Sequence, residues 1–280
     1  FLVFFIAVPI FILDAKGYSL NLKEVIKVSQ TGGIYVATDQ SGLQIYVNDE
    51  LVKKTSLVQK SVFVQDLKPS TYDISVSKEG YQTWRKRLMI FPEIVTEAKP
   101  FLIKNEPETV EILKYLDRES GTPTSTAKLN FTQKNPQYDL ISAFFATTTL
   151  SKIATSTKIA TTSGSDRMLG DVYGKNEKGQ LKIIWVGKDD SIPGYFCESL
   201  TCKSEITIRT ERSVKSFEFL PGRNDLLIIE TDDGIYVSEI DDRSPQNIQT
   251  VVTGDGYDFR IKTGNEIYLK NKDRIYSVSI

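Results

Sequence analysis

Histidine is absent from the 280 residues, and no other absence excludes as much chemistry. Imidazole is the commonest general base near neutral pH and the commonest transition-metal ligand. Ser-His-Asp and Cys-His arrangements are therefore excluded, as is a His-based zinc site. Cysteine is scarce as well. Cys197 and Cys202, in the run Cys-Glu-Ser-Leu-Thr-Cys, are the only two. Two thiols cannot supply the four ligands of a structural zinc, and their spacing is not that of a Cys-x-x-Cys redox pair. They read either as a short disulfide across a turn, which suits an oxidising compartment, or as two unrelated thiols. Charge of one sign is also lacking, with 35 Lys+Arg against 36 Asp+Glu. That balance provides no basic field for nucleic acid and no acidic tail for a cationic partner. Catalysis by paired carboxylates, as in glycosidases, survives these exclusions, and so does an oxygen-ligated calcium site.

The chain is long enough for two domains, and its 40% hydrophobic content can build their cores. The first feature present is a run without any polar side chain, FLVFFIAVPIFIL over residues 1–13. As a helix it would span only about 20 Å, short of the roughly 30 Å hydrocarbon core. With no initiator Met before it, the run reads as the second half of a longer apolar segment. Pro9 is tolerable in such a helix, although it would kink it. A signal-anchor helix over residues 1–16 fits best, because Asp14-Ala15-Lys16-Gly17 follows with no small-x-small cleavage site. A cleaved signal peptide and a buried core element are the alternatives. The expected topology is a single-pass membrane protein with the bulk of the chain extracytoplasmic.

Residues 31–104 alternate apolar and polar positions in short runs. The runs are Ile34-Tyr35-Val36, Leu43 to Val47, Ser61 to Val64, Tyr72 to Val76, Trp84 to Ile90 and Val95 to Ile103, separated by Gly, Pro, Asn, Asp and Ser. This is the pattern of a small antiparallel β-sandwich. Three stretches resemble the PEGA domain, a surface-associated β-sandwich module of prokaryotes. Ser41-Gly42-Leu43-Gln44-Ile45-Tyr46-Val47-Asn48 is similar to its opening strand, and the stretch from Leu67 through Pro69 and Tyr72 to Val76 resembles its "L-x-P-G-x-Y-x-V-x-V" strand. Lys78-Glu79-Gly80-Tyr81-Gln82-Thr83-Trp84 resembles its "K-x-G-Y-x-x-W" turn. Gln40, Leu43 and Ser70 depart from the family pattern, where Pro, Ala and Gly are usual. The motif residues Gly42, Tyr46, Pro69, Tyr72, Gly80, Tyr81 and Trp84 read as structural. Gly80 suits a turn with positive φ, and Pro69 presets a turn after Leu67. Aromatic residues such as Tyr81 and Trp84 complete the core of a small sandwich more often than they form a surface recognition pair.

Residues 105–124 read as a connector with a short helix over 109–116. From Gly121 to Asp166 the chain is Ser/Thr-rich and nearly duplicates Lys-Ile-Ala-Thr at 152–155 and 158–161. The run Tyr138 to Phe145 is too apolar for a linker, so this stretch is expected to be a degenerate sheet unit with a polar insertion. The last region repeats. Residues 225–240 align without gaps on residues 265–280, an offset of 40, and Phe217 and Phe219 fall on Tyr257 and Phe259. A weaker copy is read at Leu181 to Asp190. A period near 40 with three to four short strands per unit is the pattern of a β-propeller. Phe217-Glu-Phe-Leu-Pro-Gly-Arg-Asn-Asp-Leu-Leu-Ile resembles the "F-S-P-D-G-x-x-I" repeat of TolB-like periplasmic propellers, departing from it at Leu220 and at Arg223-Asn224. Residues 166–280 supply about three units and a propeller needs four, so residues 125–165 contribute a blade, the chain is cut, or the repeats form an open stack.

The expected fold class is therefore all-β: an N-terminal membrane-helix remnant, a PEGA-like sandwich, and propeller-like blades over 125–280. The expected function is non-enzymatic, a membrane-tethered envelope protein that binds or scaffolds a protein or a cell-wall polysaccharide. No cofactor, resident metal or nucleic acid is expected. The Asp pairs at 189–190, 232–233 and 241–242 read as solvated turns rather than calcium ligands. The alternative is an envelope carbohydrate hydrolase drawing its carboxylates from Asp189, Asp190, Asp232, Asp233 or Glu230.

Overall fold

The computed structural model describes residues 2–15, 18–21, 27–38, 40–56, 60–118, 131–146, 166–198, 201–262 and 266–280. The apolar run forms α1 (Leu2–Ala15), which exposes Val3, Phe4, Phe5 and Phe11. At 14 residues α1 is about 21 Å long, and no helix among the described residues is long and apolar enough to cross a membrane. The helix occupies residues 2–15 of the apolar segment expected over residues 1–16. A small hairpin of β1 (Tyr18–Asn21) and β2 (Lys27–Gln30) follows.

The sandwich is built from β3 (Gly32–Ala37), β4 (Gln44–Val47), β5 (Glu50–Lys54), β6 (Ser61–Leu67), β7 (Ser70–Ser77), β8 (Trp84–Ile90) and β9 (Val95–Ala98). Its two sheets have the orders β6-β3-β9 and β5-β4-β7-β8. Alternating residues such as Ile34, Val36, Ile45, Ile74, Val76 and Leu88 fill the space between them. The hairpin from β4 to β5 turns on Asn48 and Asp49, both with positive φ, as the right-handed twist of its strands requires. Two expectations are corrected. The sandwich is not wholly antiparallel, because β9 runs parallel to β3 after the other sheet has been crossed. The strand expected to reach Ile103 stops at Ala98, and Phe101, Leu102 and Ile103 are buried as irregular chain.

The expected connector contains no helix over 109–116. Instead β10 (Glu108–Ile112) forms there and lies at the edge of a sheet made by the end of the chain. A hairpin of β11 (Tyr115–Arg118) and β12 (Phe131–Lys134) then leads into α2 (Pro136–Ala146). The degenerate sheet unit expected here is therefore corrected to a helix. Tyr138, Ile141 and Phe145, spaced three and four apart, lie on one helical face and pack on Ile112, Tyr268 and Ile275. The near-duplication at 152–162 lies outside the described residues.

Three four-stranded antiparallel sheets follow among the described residues. The first has β13 (Asp166–Leu169), β14 (Val172–Glu177) and β15 (Gln180–Trp185). After the tiny hairpin β16 (Cys197–Glu198) and β17 (Thr201–Cys202), β18 (Glu205–Thr207) completes it. The second is β19 (Ser216–Phe219), β20 (Leu226–Glu230), β21 (Gly234–Glu239) and β22 (Ile248–Thr253). The third is β23 (Tyr257–Lys262), β24 (Glu266–Asn271) and β25 (Arg274–Ser279), completed by β10. The repeat offset of 40 places β20 on β24 and β21 on β25. The weaker copy is corrected by one strand, because Leu181 lies in the third strand of its sheet whereas Leu226 begins the second. Both strands are rich in buried aliphatic residues, alternate ones in β15 and four in succession in β20, which is why their sequences match. These sheets stack side by side and close no ring among the described residues.

Each interface in the stack is apolar. Val172, Leu181, Ile183 and Ile206 of the first sheet meet Phe217, Leu227 and Ile229 of the second. Leu226, Ile228 and Val237 meet Phe259, Ile267 and Leu269 of the third. Gly174 admits the Phe217 ring, since a Cβ there would lie 2.6 Å from Cε2. The two outward faces differ. That of the third sheet carries α2, whereas that of the first carries a ladder of ion pairs, with Lys175 and Lys182 on Glu177 and Lys182 also on Glu205.

The sandwich is joined to the second sheet along β8. Trp84 Nε1 donates to Glu239 Oε2 at 2.9 Å, and the buried Lys86 ammonium pairs with Glu239 Oε1. Lys86 also donates to the carbonyls of Asp241 (3.1 Å) and Arg243 (2.9 Å). Asn247 bridges the Arg85 backbone at both its N–H and its C=O, and the Arg87 N–H donates to the Ser244 carbonyl. Gln82 exchanges two hydrogen bonds with the Thr250 backbone, and Gln249 bonds the backbone at Phe101 and Ile103. Burial is the largest influence on Glu239 and holds its carboxyl above the ordinary range, with Lys86 drawing it down.

Two outcomes are expected. Lys86→Met leaves Glu239 buried without its counter-ion and costs about 3–5 kcal/mol. Adding Glu239→Gln, which keeps an acceptor for Trp84, recovers part of that loss, as a double-mutant cycle in urea would measure. Gly174→Ala, overpacked against Phe217, destabilises by about 1–3 kcal/mol. Phe217→Leu in the same chain reduces that penalty, read from the shift in unfolding midpoint.

Candidate binding groove at the sandwich–sheet junction

In a four-stranded meander the turns between second and third strands lie at one end, and the connections between third and fourth strands lie at the other. Asp232 and Asp233 occupy the turn from β20 to β21. Asp189 and Asp190 lie in the connection after β15, and Asp241 and Asp242 in that after β21. The two ends are separated by strands of five or six residues, a distance of about 17–20 Å. A hydrolase pair needs its carboxyl groups within about 5–10 Å. Asp189 and Asp190 therefore lie at the opposite strand end from Asp232 and Asp233, so a pair drawn from both ends is too far apart.

The other carboxylate candidate, Glu230, accepts from Ser216 Oγ at 2.6 Å. It shares one face of the second sheet with Glu218, since Ser216 is its cross-strand partner and Glu218 stands two residues further along β19. Burial pushes both carboxyls above their ordinary range. Glu218 is bound to Arg167 of the first sheet. Asp233 is held low, chiefly by the Thr231 hydroxyl, and pairs with Arg212. These groups tie neighbouring strands together, and no group of three metal-ligating side chains occurs among the described residues.

The concave surface lies at the opposite end, where the sandwich meets the loops of the second sheet. A narrow part of about 190 Å³ runs between Glu97, Tyr195, Glu239, Asp241 and Arg243. A wide part of about 690 Å³ is lined by Tyr35, Thr38, Lys60, Ser61, Arg223 and Asn224. Lys99 and Asp225 line both, so the two parts adjoin along the seam.

Two Arg–Asp forks build its wall. Arg223 holds Asp225 through Nε and NH2 at 2.7 and 2.8 Å, and its NH2 also donates to the Lys99 carbonyl. Arg243 holds Asp241 in the same way and donates to the Glu97 carbonyl at 3.0 Å. Each fork thus clamps a loop of the second sheet to the chain at the end of β9. Tyr195 donates its hydroxyl to the Asn224 carbonyl, and burial keeps its phenol protonated far above the usual range. Cys197 and Cys202 face each other across β16 and β17 and are bonded, with an S–S distance of 2.04 Å. Cys197 forms part of the narrow end. Glu239, Asp241 and Asp225 each already hold a cation, which suits rigid walls better than proton transfer.

The motif residues of the sandwich serve its own turns and core. Gly42 and Gly80 take positive φ in turns, and Pro69 stands between β6 and β7. Tyr46 donates to Gln44 and Tyr72 to the Lys68 carbonyl. Tyr81 is half-buried, with the Lys78 ammonium 4.7 Å from its ring centroid. Trp84 is both core and joint, since its ring is buried in the sandwich while its N–H reaches Glu239. Sequence reasoning missed Lys86, Gln82, Asn247 and Gln249. One signal was available, because Lys86 takes an inward position of the strand Trp-Arg-Lys-Arg-Leu-Met-Ile, whose alternate residues are buried. A charge there requires a partner. No curated protein matches the chain. Residues 31–104, the span of this sandwich, match the PEGA domain family.

Proposed function

We propose that this is a non-enzymatic cell-envelope protein, tethered to a membrane through an apolar segment that includes α1, whose sandwich and stacked sheets act as one binding and scaffolding body outside the cytoplasm. The observation that carries the reading is the junction. Its groove takes walls from both modules, and side-chain-to-backbone bonds made by Gln82, Lys86 and Gln249 hold those walls in place. Preformed grooves of this kind suit recognition. The absence of histidine and the cation-bound carboxylates of the groove support a non-enzymatic role. The exposed phenylalanines of α1 support the tether, and the Cys197–Cys202 bond supports an oxidising compartment. The three stacked sheets, the last two of which repeat at an offset of 40 residues, are read as blades of a propeller-like module.

The test is cellular. The full chain should sediment with membranes, be digested by protease added outside the cytoplasmic membrane, and show Cys197 and Cys202 protected from alkylation until reduced. Recovery in the cytosolic fraction with both thiols free would sink the reading.

A further inference from the structure

We infer that the wide end of the groove, together with the outer face of the β6-β3-β9 sheet beside it, binds an acidic glycan. This rests on the binding half of the function proposed above and gives the ligand a chemical class. The outer face carries Tyr35 and Phe63 as direct cross-strand partners, exposed by 38% and 41%. The Phe63 ring lies against Gly33, where a Cβ would come within 2.6 Å of it, so the missing side chain is what lets the ring approach the sheet. Ser61 precedes Phe63 by two positions on the same face and leads into the groove. The result is an aromatic platform bordered by hydroxyl and amide groups of Thr38, Ser61 and Asn224. Pyranose rings pair with such platforms, because their C–H faces meet the negative face of an aromatic ring while their hydroxyls reach polar groups at its border.

Charge selects the acidic member of that class. Among the described lining residues, Lys60, Lys99 and Arg223 face one carboxylate, Asp225, which the Arg223 fork already neutralises. Lys99 approaches Glu97 at 3.5 Å, but both side chains are nearly half exposed, so this pair is weak and the ammonium can turn to a ligand. An extended acidic peptide fits less well. At the β6 edge Asp66 takes a φ of 58° and interrupts the regular run of donors and acceptors, and at the β9 edge the Glu97 carbonyl is already taken by Arg243.

The experiment titrates the purified full chain in detergent with polygalacturonate, with neutral dextran and with polyglutamate, at about 0.15 M salt. Polygalacturonate should bind and dextran should not. Tyr35→Ala, and separately Lys60→Ala with Lys99→Ala, should each weaken binding by roughly five- to tenfold, the scale of one lost contact. All these side chains are at the surface, so unfolding midpoints should be unchanged. Failure of polygalacturonate to bind overturns the inference, as does equal binding of dextran. Equal binding of polyglutamate, or indifference to Tyr35→Ala, also overturns it, by showing attraction through charge alone. Membrane attachment and the state of the disulfide are read separately by fractionation, so either proposal can fail without the other.

Discussion

The pairing of Lys86 with Glu239 is the constraint on which the relative placement of the two modules depends. A buried ammonium and a buried carboxylate are costly to desolvate, and they are tolerated only with dense hydrogen bonding. Here Glu239 also accepts from Trp84 and Asn247, and Lys86 also serves two backbone carbonyls. Such a set of partners exists in one geometry only. An aliphatic contact would hold the sandwich against the second sheet but would allow it to slide, whereas this node sets the register of β8 against residues 241–247. The groove inherits its shape from that register, since one wall belongs to each side.

The stack of sheets is governed by a different principle. Its interfaces are apolar and nearly interchangeable, so specificity must come from how the stack is finished. The third sheet buries its outward face under α2, with Tyr138, Ile141 and Phe145 serving as the next layer. On the first sheet, lysine and glutamate occupy the equivalent positions, where a further sheet would require aliphatic residues. This division resembles the polar ends of repeat proteins, in which each unit contacts only its neighbours.

Much of this was legible in the sequence, for physical reasons that differ from element to element. The sandwich strands were readable because one face of each is buried, so period-two alternation survives in Ile34-Tyr35-Val36 and in Trp84 to Ile90. The last two sheets were readable because their repeat is gapless between residues 225 and 280. The first sheet was misplaced by one strand, because its sequence copy is short and a short aliphatic run suits either a half-buried strand such as β15 or a fully buried one such as β20. The helix at 136–146 was taken for sheet although Tyr138, Ile141 and Phe145 carry helical spacing. Its Phe-Phe and Ile content, characteristic of strands, outweighed that period. The strand at 108–112 could not be identified locally, since four of its five residues are exposed and its partner is at the far end of the chain. The groove was invisible for a related reason. Arg223-x-Asp225 and Asp241-x-Arg243 read as ordinary polar loops until the sandwich carbonyls they reach are placed beside them.

The strand β10 has a kinetic consequence. It follows directly on the sandwich, yet its only strand partner among the described residues is β25, from which most of the chain separates it. Until β25 is available, the segment leaving the sandwich has an unpaired edge and the third sheet lacks its outer strand. Loop closure over such a separation is entropically costly and slows folding. The sandwich, with its local hairpins, can form early. The stack is completed last, when the two ends of this long loop meet.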